Sequence, residues 1–321
     1  MKIYRSLQEL RAPMPPTVAA IGNFDGVHRG HQEVIERVLE RARGLGAQAI
    51  AVTFDPHPVT VLHPERAPKL ITPMPQRLRL LAATGLDAAV VLPFTREFSM
   101  QTPREFAEGV LRDALHVLEV HEGDTFRFGH DAAAGIAELR ELGRELGFGV
   151  VSHGALRVRG VLVSSSEVRR RIATGQMGMA RALLGRPFSV VSTAAQGRGV
   201  GTKLTTPTIN LAPYSELLPP NGVYVTRVRL GASALLDAVT NAGVRPTFDG
   251  AGFAVESHLL DGPPPVDVTE TTPVEVCFFM RLREERRFPS PEALRAQIAR
   301  DVTRAREYFR RASREQAGLR V

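Results

Sequence analysis

Two histidines three residues apart, His28 and His31, stand in the run AAIGNFDGVHRGHQEVIERV, with Gly22, Gly26 and Gly30 around them. Imidazole N–H groups donate to phosphate oxygens, and glycines let a backbone approach a ligand closely. Apolar Val34, Ile35, Val38 and Leu39 follow at helical spacing, and Gly44 marks a stop, so the histidines open a helix. The positive end of a helix attracts anions, which makes phosphate binding the functional reading. Two others stay open on these residues alone. Paired histidines can ligate a metal, although no cysteine or third ligand stands at zinc spacing. They can equally be solvated loop residues.

The elements that would carry the turn are legible around it. TVAAIGNF is a short apolar run ended by glycine, as expected of a buried strand. AQAIAVTF, DAAVVLPF and HVLEVH read the same way. Helical patterns lie among them in PQRLRLLAATG, PREFAEGVLRDAL and IAELRELGRELG. Strands alternating with helices predict a parallel α/β sheet, whose ligands sit beyond the carboxyl ends of the strands. GVVSH and RVRGVLVSS read as two more strands, and SEVRRRIATG and MGMARALLG as short helices.

After Gly185 the texture changes. PFSVVSTAAQG, GVYVTRVRL, ALLDAVTN, FAVESHLL and PVEVCFFMRLR are strand-like runs separated by glycine and proline, with no helix between them. They predict a small antiparallel barrel. The end, from PSPEALRAQIARDV to REYFRRA, reads as one long amphipathic helix with Leu294, Ile298, Val302 and Ala305 on one face. The expected domains are 1–185, an α/β domain with a parallel sheet, and 186–321, a barrel with a terminal helix.

Composition narrows the function. The 321 residues carry a net charge of +7, almost all of it from arginine, since Lys2, Lys69 and Lys203 are the only lysines. An arginine skew is either a compositional bias or an attraction for polyanions. No lysine stands in a GxxxxGK[ST] arrangement, so any ATP chemistry must use another architecture. An RNA-binding barrel would need stacking aromatics, and the chain has no tryptophan and 6% aromatic residues. The lone Cys277 rules out an internal disulfide and fits a reducing compartment. The first residues lack the apolar segment of a signal peptide, and no apolar run has membrane-spanning length. The expectation is a cytoplasmic protein acting on small molecules, with no membrane, nucleic acid or obligate protein partner.

GNFDGVHRGH resembles the HxGH turn of nucleotidyltransferases, and SSSEVRR resembles their second motif, ISSTxIR. TFDPHP and GDTFRFG narrow the likeness, and together these segments resemble the bifunctional riboflavin kinase/FMN adenylyltransferase family. PTIN, NGVY, NAGVRPTF, VESHLLD and RLREERRF follow in that family's order. The chain departs from it in GTKLTTPTIN, where the family reads GRxLGFPTAN, and it lacks the LYG that follows LLD. These departures motivate an alternative, an adenylyltransferase whose barrel only binds flavin.

The resemblance implies a Rossmann-like nucleotidyltransferase domain making FAD from FMN and ATP, and a barrel phosphorylating riboflavin with ATP. In the first, His28 and His31 are the catalytic donors to the triphosphate. Gly22, Asn23, Phe24, Asp25, His57, Asp124, Ser164, Ser165 and Arg169 complete the nucleotide site. In the second, Glu256 is the base that activates the riboflavin hydroxyl. Its strand pattern alone reads as an outward-facing surface residue. Gly197, Gly201 and Lys203 belong to the turn GRGVGTKL that would cover the phosphates, Pro207 joins them in the nucleotide site, and Thr208 and Asn210, two apart on an extended segment, would share one side and hold Mg²⁺.

Overall fold

Every residue of Thr17–Ile21 is buried, as a strand covered on both faces requires. It is the second of six parallel strands. These are β1 (Lys2–Tyr4), β2 (Thr17–Ile21), β3 (Gln48–Asp55), β4 (Ala88–Pro93), β5 (Val117–Gly123) and, beyond a short ribbon of β6 (Arg127–Phe128) and β7 (Ala134–Gly135), β8 (Gly149–His153). The computed structural model describes residues 1–10, 14–195, 208–247 and 250–318. It divides into two compact units, Met1–Ser165 and Ser166–Val321.

The sheet order is β1-β4-β3-β2-β5-β8. The chain builds outward from β2 through β3 and β4, then returns to the other side of β2 with β5. That reversal leaves a crevice at the carboxyl ends of β2 and β5, the place where such sheets bind ligands. One face of the sheet buries Val18, Ala20, Ala49 and Ala51 against Ile35 and Val38 of helix α1 (Arg29–Leu45). The other buries Ala19, Ile21, Ile50 and Val90 among Phe106, Val110, Leu111 and Leu139.

Two expected elements take different forms. The helix expected over PREFAEGVLRDAL starts as a turn, Pro103–Glu105, capped by Thr102, and continues over Phe106–Ala114 as a π-helix. The run RVRGVLVSS is not one strand. It folds back at Arg159 and Gly160, both at positive φ, into the ribbon β9 (Arg157–Val158) and β10 (Val161–Leu162). β1 was not legible at all, being three residues long.

In the second unit, β11 (Phe188–Ala195), β12 (Thr208–Leu211), β13 (Gly222–Leu230), β14 (Leu236–Thr247), β15 (Gly250–Leu259) and β16 (Pro273–Arg283) close into a barrel in the order β11-β12-β15-β14-β13-β16. All its described pairings are antiparallel. Inside, Tyr224 meets Phe278 edge to face, and the buried hydroxyls of Thr226, Thr240 and Ser257 bond in series at 2.6 and 2.8 Å. Outside, Val223, Val225, Val239 and Phe279 pack on Ala305 and Phe309 of the final helix, Pro291–Gly318. That helix also turns Gln297 and Asp301 inward. Asp301 accepts from Arg283 at 2.9 Å and Gln297 from Arg286 at 2.6 Å, so its buried stripe is partly polar. The helices Ser165–Ala173 and Met177–Leu184 lead into the barrel, and Arg181 of the second lies over the Phe279 ring.

Candidate active sites

The histidine turn sits at the sheet's switch point because β2 ends at Ile21 and α1 begins at Arg29. The backbone between them is strained. Phe24, Gly26 and Val27 all have positive φ, and for a β-branched residue such as Val27 that is a true outlier. Strain of this kind persists only where surroundings enforce it. Asp25 is 1% exposed, and its carboxylate accepts from the Ile71 and Thr72 amides at 3.0 and 2.9 Å and lies 3.6 Å from Arg77. Thr72 in turn accepts from the Gly26 amide at 2.9 Å. Asp25 therefore braces the turn from beneath.

His28 caps α1, its Nδ1 accepting from the His31 amide at 3.3 Å. With Nδ1 an acceptor, the proton of the neutral ring is on Nε2. The His31 ring stacks on that of His28, centroids 3.5 Å apart, and meets Phe24 edge to face. A side chain at Gly30 would crowd His28 Nδ1 at 3.3 Å, which explains the glycine between the histidines. The second motif joins this turn directly, since the Ser165 hydroxyl donates to the Asp25 carbonyl at 2.8 Å. Ser164 precedes it. On the helix beyond, Arg170 and Arg171 both turn back onto Glu167, at 2.7 Å. Those two pairs hold the Glu167 carboxyl down at about 2. Arg169 is the first arginine of that run.

His57 caps the short helix Pro58–Leu62, accepting from the Val59 amide, and Asp124 lies exposed just past β5, its amide bonded to the His153 carbonyl. Below Asp124, His121 bonds His153 at 3.0 Å and Glu119 at 2.7 Å, and Glu119 also takes Arg41. Burial first, and His121 second, lower the pKa of His153. Glu122 points to the opposite face of β5, accepts from the Ile21 amide at 2.5 Å and is pushed well above the usual carboxylate range by burial.

Gly22 and Asn23 open onto a cleft of about 870 Å³. Phe54, Phe94, Phe98, Phe106, Phe126 and Phe128 line it, with neighbouring rings 5.6 to 6.2 Å apart. Asn23 Oδ1 is buried there with no hydrogen-bond partner among the described residues. Reading for polar chemistry missed these phenylalanines. Their signal was position: Phe54, Phe94 and the Phe126–Phe128 pair each stand at the carboxyl end of a strand.

In the barrel, strand register gathers the other set. Asn210 of β12 stands opposite Glu256 of β15, and Glu256 stands opposite Asn241 of β14. Directly opposed residues project to one face, so Asn210, Glu256 and Asn241 form a row on the outside of the barrel, and Thr208 shares the side of Asn210. Glu256 is half-buried rather than a freely solvated strand residue. Gly197, Gly201, Lys203 and Pro207 lie outside the described residues. Among the described residues there is no group of three or more His, Cys, Asp or Glu that could hold a metal ion.

A parallel sheet with a histidine-glycine turn at its switch point, followed by a closed barrel with a carboxylate between two amides, defines a two-part nucleotide-using protein. The family model described as FAD synthetase matches residues 11–167, and the one described as riboflavin kinase matches residues 184–309. The bifunctional riboflavin kinase/FMN adenylyltransferase of Escherichia coli (strain K12) is 34% identical over 310 residues, covering 96% of this chain and 98% of that protein. That of Pseudomonas fluorescens is 36% identical over 307 residues, covering 95% and 97%. The crystal structure of a protein named macrolide-efflux protein from Streptococcus pneumoniae superimposes with a TM-score of 0.85 at 25% identity, covering 95% of this chain and 98% of that one. The chain belongs to the bifunctional riboflavin kinase/FMN adenylyltransferase family. No helix among the described residues is long and apolar enough to cross a membrane.

Proposed function

We propose that residues 1–185 carry the transfer of AMP from ATP to FMN, giving FAD and pyrophosphate, and residues 186–321 the transfer of the γ-phosphoryl group from ATP to riboflavin, giving FMN. The observation that carries the first assignment is the bond from Ser165 to Asp25, which joins the two nucleotide motifs beside an aromatic cleft. That cleft has the size of a ligand pocket, and its rings suit the flat isoalloxazine.

FMN's phosphate is an anion at neutral pH, so its oxygen attacks the α-phosphorus without a general base. The barrier is electrostatic, and positioned donors lower it. The His28 Nε2 proton, His31 and the α1 N-terminus meet the charge on the α-phosphate and the departing pyrophosphate. Ser164 and Ser165 add neutral donors, and Arg169 binds the β and γ phosphates. Gly22, Asn23 and Phe24 shape the approach, Asp25 holds the turn, and His57 and Asp124 stand at its edges.

The barrel's acceptor is a neutral hydroxyl, a poor nucleophile. Glu256 takes its proton as the oxygen attacks the γ-phosphorus and ADP leaves. Thr208 and Asn210 offer neutral oxygens on the same side as Glu256, a donor set that suits Mg²⁺ bound together with phosphates. When bound, that ion would neutralise charge on the transferred group. Gly197, Gly201 and Lys203 belong to the turn assigned to cover the phosphates, and Pro207 to the same nucleotide site. The reactions use cytoplasmic substrates and need no membrane, nucleic acid or protein partner.

Incubation with riboflavin, ATP and Mg²⁺, followed by chromatography, is expected to yield both FMN and FAD. FAD from supplied FMN, with no FMN from riboflavin, would overturn the kinase assignment.

A further inference from the structure

Gln101 has no part in the scheme above, yet it lines the aromatic cleft. Its Oε1 is buried and has no hydrogen-bond partner among the described residues. A buried amide oxygen left unpaired costs free energy, so one in a native site calls for an explanation. Loose backbone does not supply it. The Gln101 amide donates to the Phe98 carbonyl at 3.3 Å, and its own carbonyl accepts from the His130 amide at 2.8 Å. Thr102, the next residue, caps Pro103–Glu105 in a reciprocal box with Glu105. The loop bearing His130 is pressed onto the same turn: Gly129 has positive φ, and a Cβ there would stand 2.6 Å from Pro103 Cγ. The unpaired oxygen is therefore carried on a fixed backbone. Asn23 Oδ1, the second unpaired acceptor lining the cleft, belongs to the histidine turn. Gln101 does not; it follows the short helix Arg96–Ser99.

Resting on the reading that this cleft holds the isoalloxazine, we propose that Gln101 is a specificity-determining residue for FMN, its Oε1 accepting the hydrogen bond of the flavin N3–H. Oxidised isoalloxazine has one ring N–H, at N3, and its other polar ring atoms are acceptors. Phenyl walls hold a flat ring by its faces and cannot tell one edge from another. An acceptor set in an apolar wall can, because only the donating edge satisfies it. FMN runs from phosphate through the ribityl chain to the ring. That order leaves the oxygen of Asn23, beside the histidine turn, to the phosphate and ribityl end, and the oxygen of Gln101 to the ring. Flat aromatic molecules without a donor at that edge would leave Gln101 unpaired and be refused.

The test follows FAD formation by the full chain, with FMN or its N3-methyl derivative as the varied substrate at saturating ATP. The methyl group removes the ring donor. In the parent, the methylated substrate should show a KM at least about tenfold above that of FMN. Gln101→Leu keeps the size and removes the acceptor. Its KM for FMN should rise about five- to tenfold, the scale of one neutral hydrogen bond, with kcat within about threefold. In that variant the methyl group should cost less than about threefold, since its partner is already gone. Gln101→Leu also removes an unpaired buried acceptor, so without ligand it should melt no lower than the parent. A residue kept for structure alone would give the reverse, a lower melt and an unchanged KM. Phe94→Ala and Phe126→Ala are measured alongside: if neither raises the KM for FMN, the cleft is not the flavin site and the underlying reading fails. If they raise it while Gln101→Leu keeps the parent KM, or while the parent uses both substrates equally well, the flavin site stands and the role of Gln101 is refuted. A rise in the KM for ATP in place of FMN would put adenine at Gln101 and refute it too. If Gln101→Leu does not fold, the parent's preference between the two substrates decides.

Discussion

Replacing His28 separates two things that one side chain does. It caps α1 through Nδ1, and in the proposed reaction it supplies the Nε2 proton. The cap is worth about 1 kcal/mol, and its loss should lower the melting temperature of a unit this size by roughly 2–4 °C. A catalytic donor aimed at developing charge is worth more, roughly 2.7–4 kcal/mol of barrier, or about 10²–10³ in rate. Asparagine is among the best helix caps, but its short amide cannot reach where Nε2 does. His28→Asn should therefore keep nearly the parent melting temperature, while His28→Ala loses a few degrees. Both should form FAD from FMN and ATP at least about a hundredfold more slowly, with riboflavin phosphorylation unchanged. The assay is FAD release at saturating FMN and ATP, beside a thermal melt of each variant. If His28→Asn restores FAD synthesis to within about threefold of the parent, the cap was the whole contribution and the donor argument fails.

Asn210→Ala should raise the Mg²⁺ needed for half-maximal kinase rate and leave the Mg²⁺ titration of FAD formation alone; an unchanged kinase titration removes Asn210 from the cation site. Glu122→Gln keeps an acceptor for the Ile21 amide and removes a buried ionisable group. Because burial raises the folded-state pKa of Glu122 above its ordinary 4.5, its contribution to stability is fully present below that value and is lost as pH rises through the folded value. The variant should thus gain melting temperature relative to the parent at pH 8 and not at pH 4; equal shifts at both would contradict the protonation argument. A fragment beginning at Ser166 is expected to fold and make FMN. One beginning at Arg186 loses the helix bearing Ala180, Leu183 and Leu184, each no more than 1% exposed, and should melt lower or fail to fold, and equal melts would show that this helix adds nothing to the barrel.

The first half was readable because its strands are continuous apolar runs. Ile21 leads to the histidine turn by chain connectivity alone. What connectivity cannot show is register. Asn241 and Glu256 are fifteen positions apart in the chain and opposite each other in the barrel, a pairing set by the turn between β14 and β15. The phenylalanines of the cleft failed for a related reason. Each is an ordinary apolar residue of a strand, helix or loop read by itself, and only the fold brings them into one wall. The ribbon at Arg159–Gly160 was misread as strand because Val158, Val161 and Val163 favour extended backbone whether or not the chain reverses between them. Asp25 was a site residue by resemblance, and its burial against Thr72 and Arg77 depends on a loop almost fifty residues away.

The hydrogen bonds that run from Arg41 through Glu119 and His121 to His153 give the sheet an internal signal. Glu119 can only accept, so a proton lies on His121 Nε2, and a second proton must lie between the two rings whichever of them owns it. Protons held this way exchange slowly with water and resonate far downfield of the amides in a proton spectrum. Since the His153 carbonyl also holds the Asp124 amide, the second of these lines reads out the edge of the proposed nucleotide site. Its broadening during a titration with ATP would track motion there with no label attached, in a chain whose lack of tryptophan leaves fluorescence little to see.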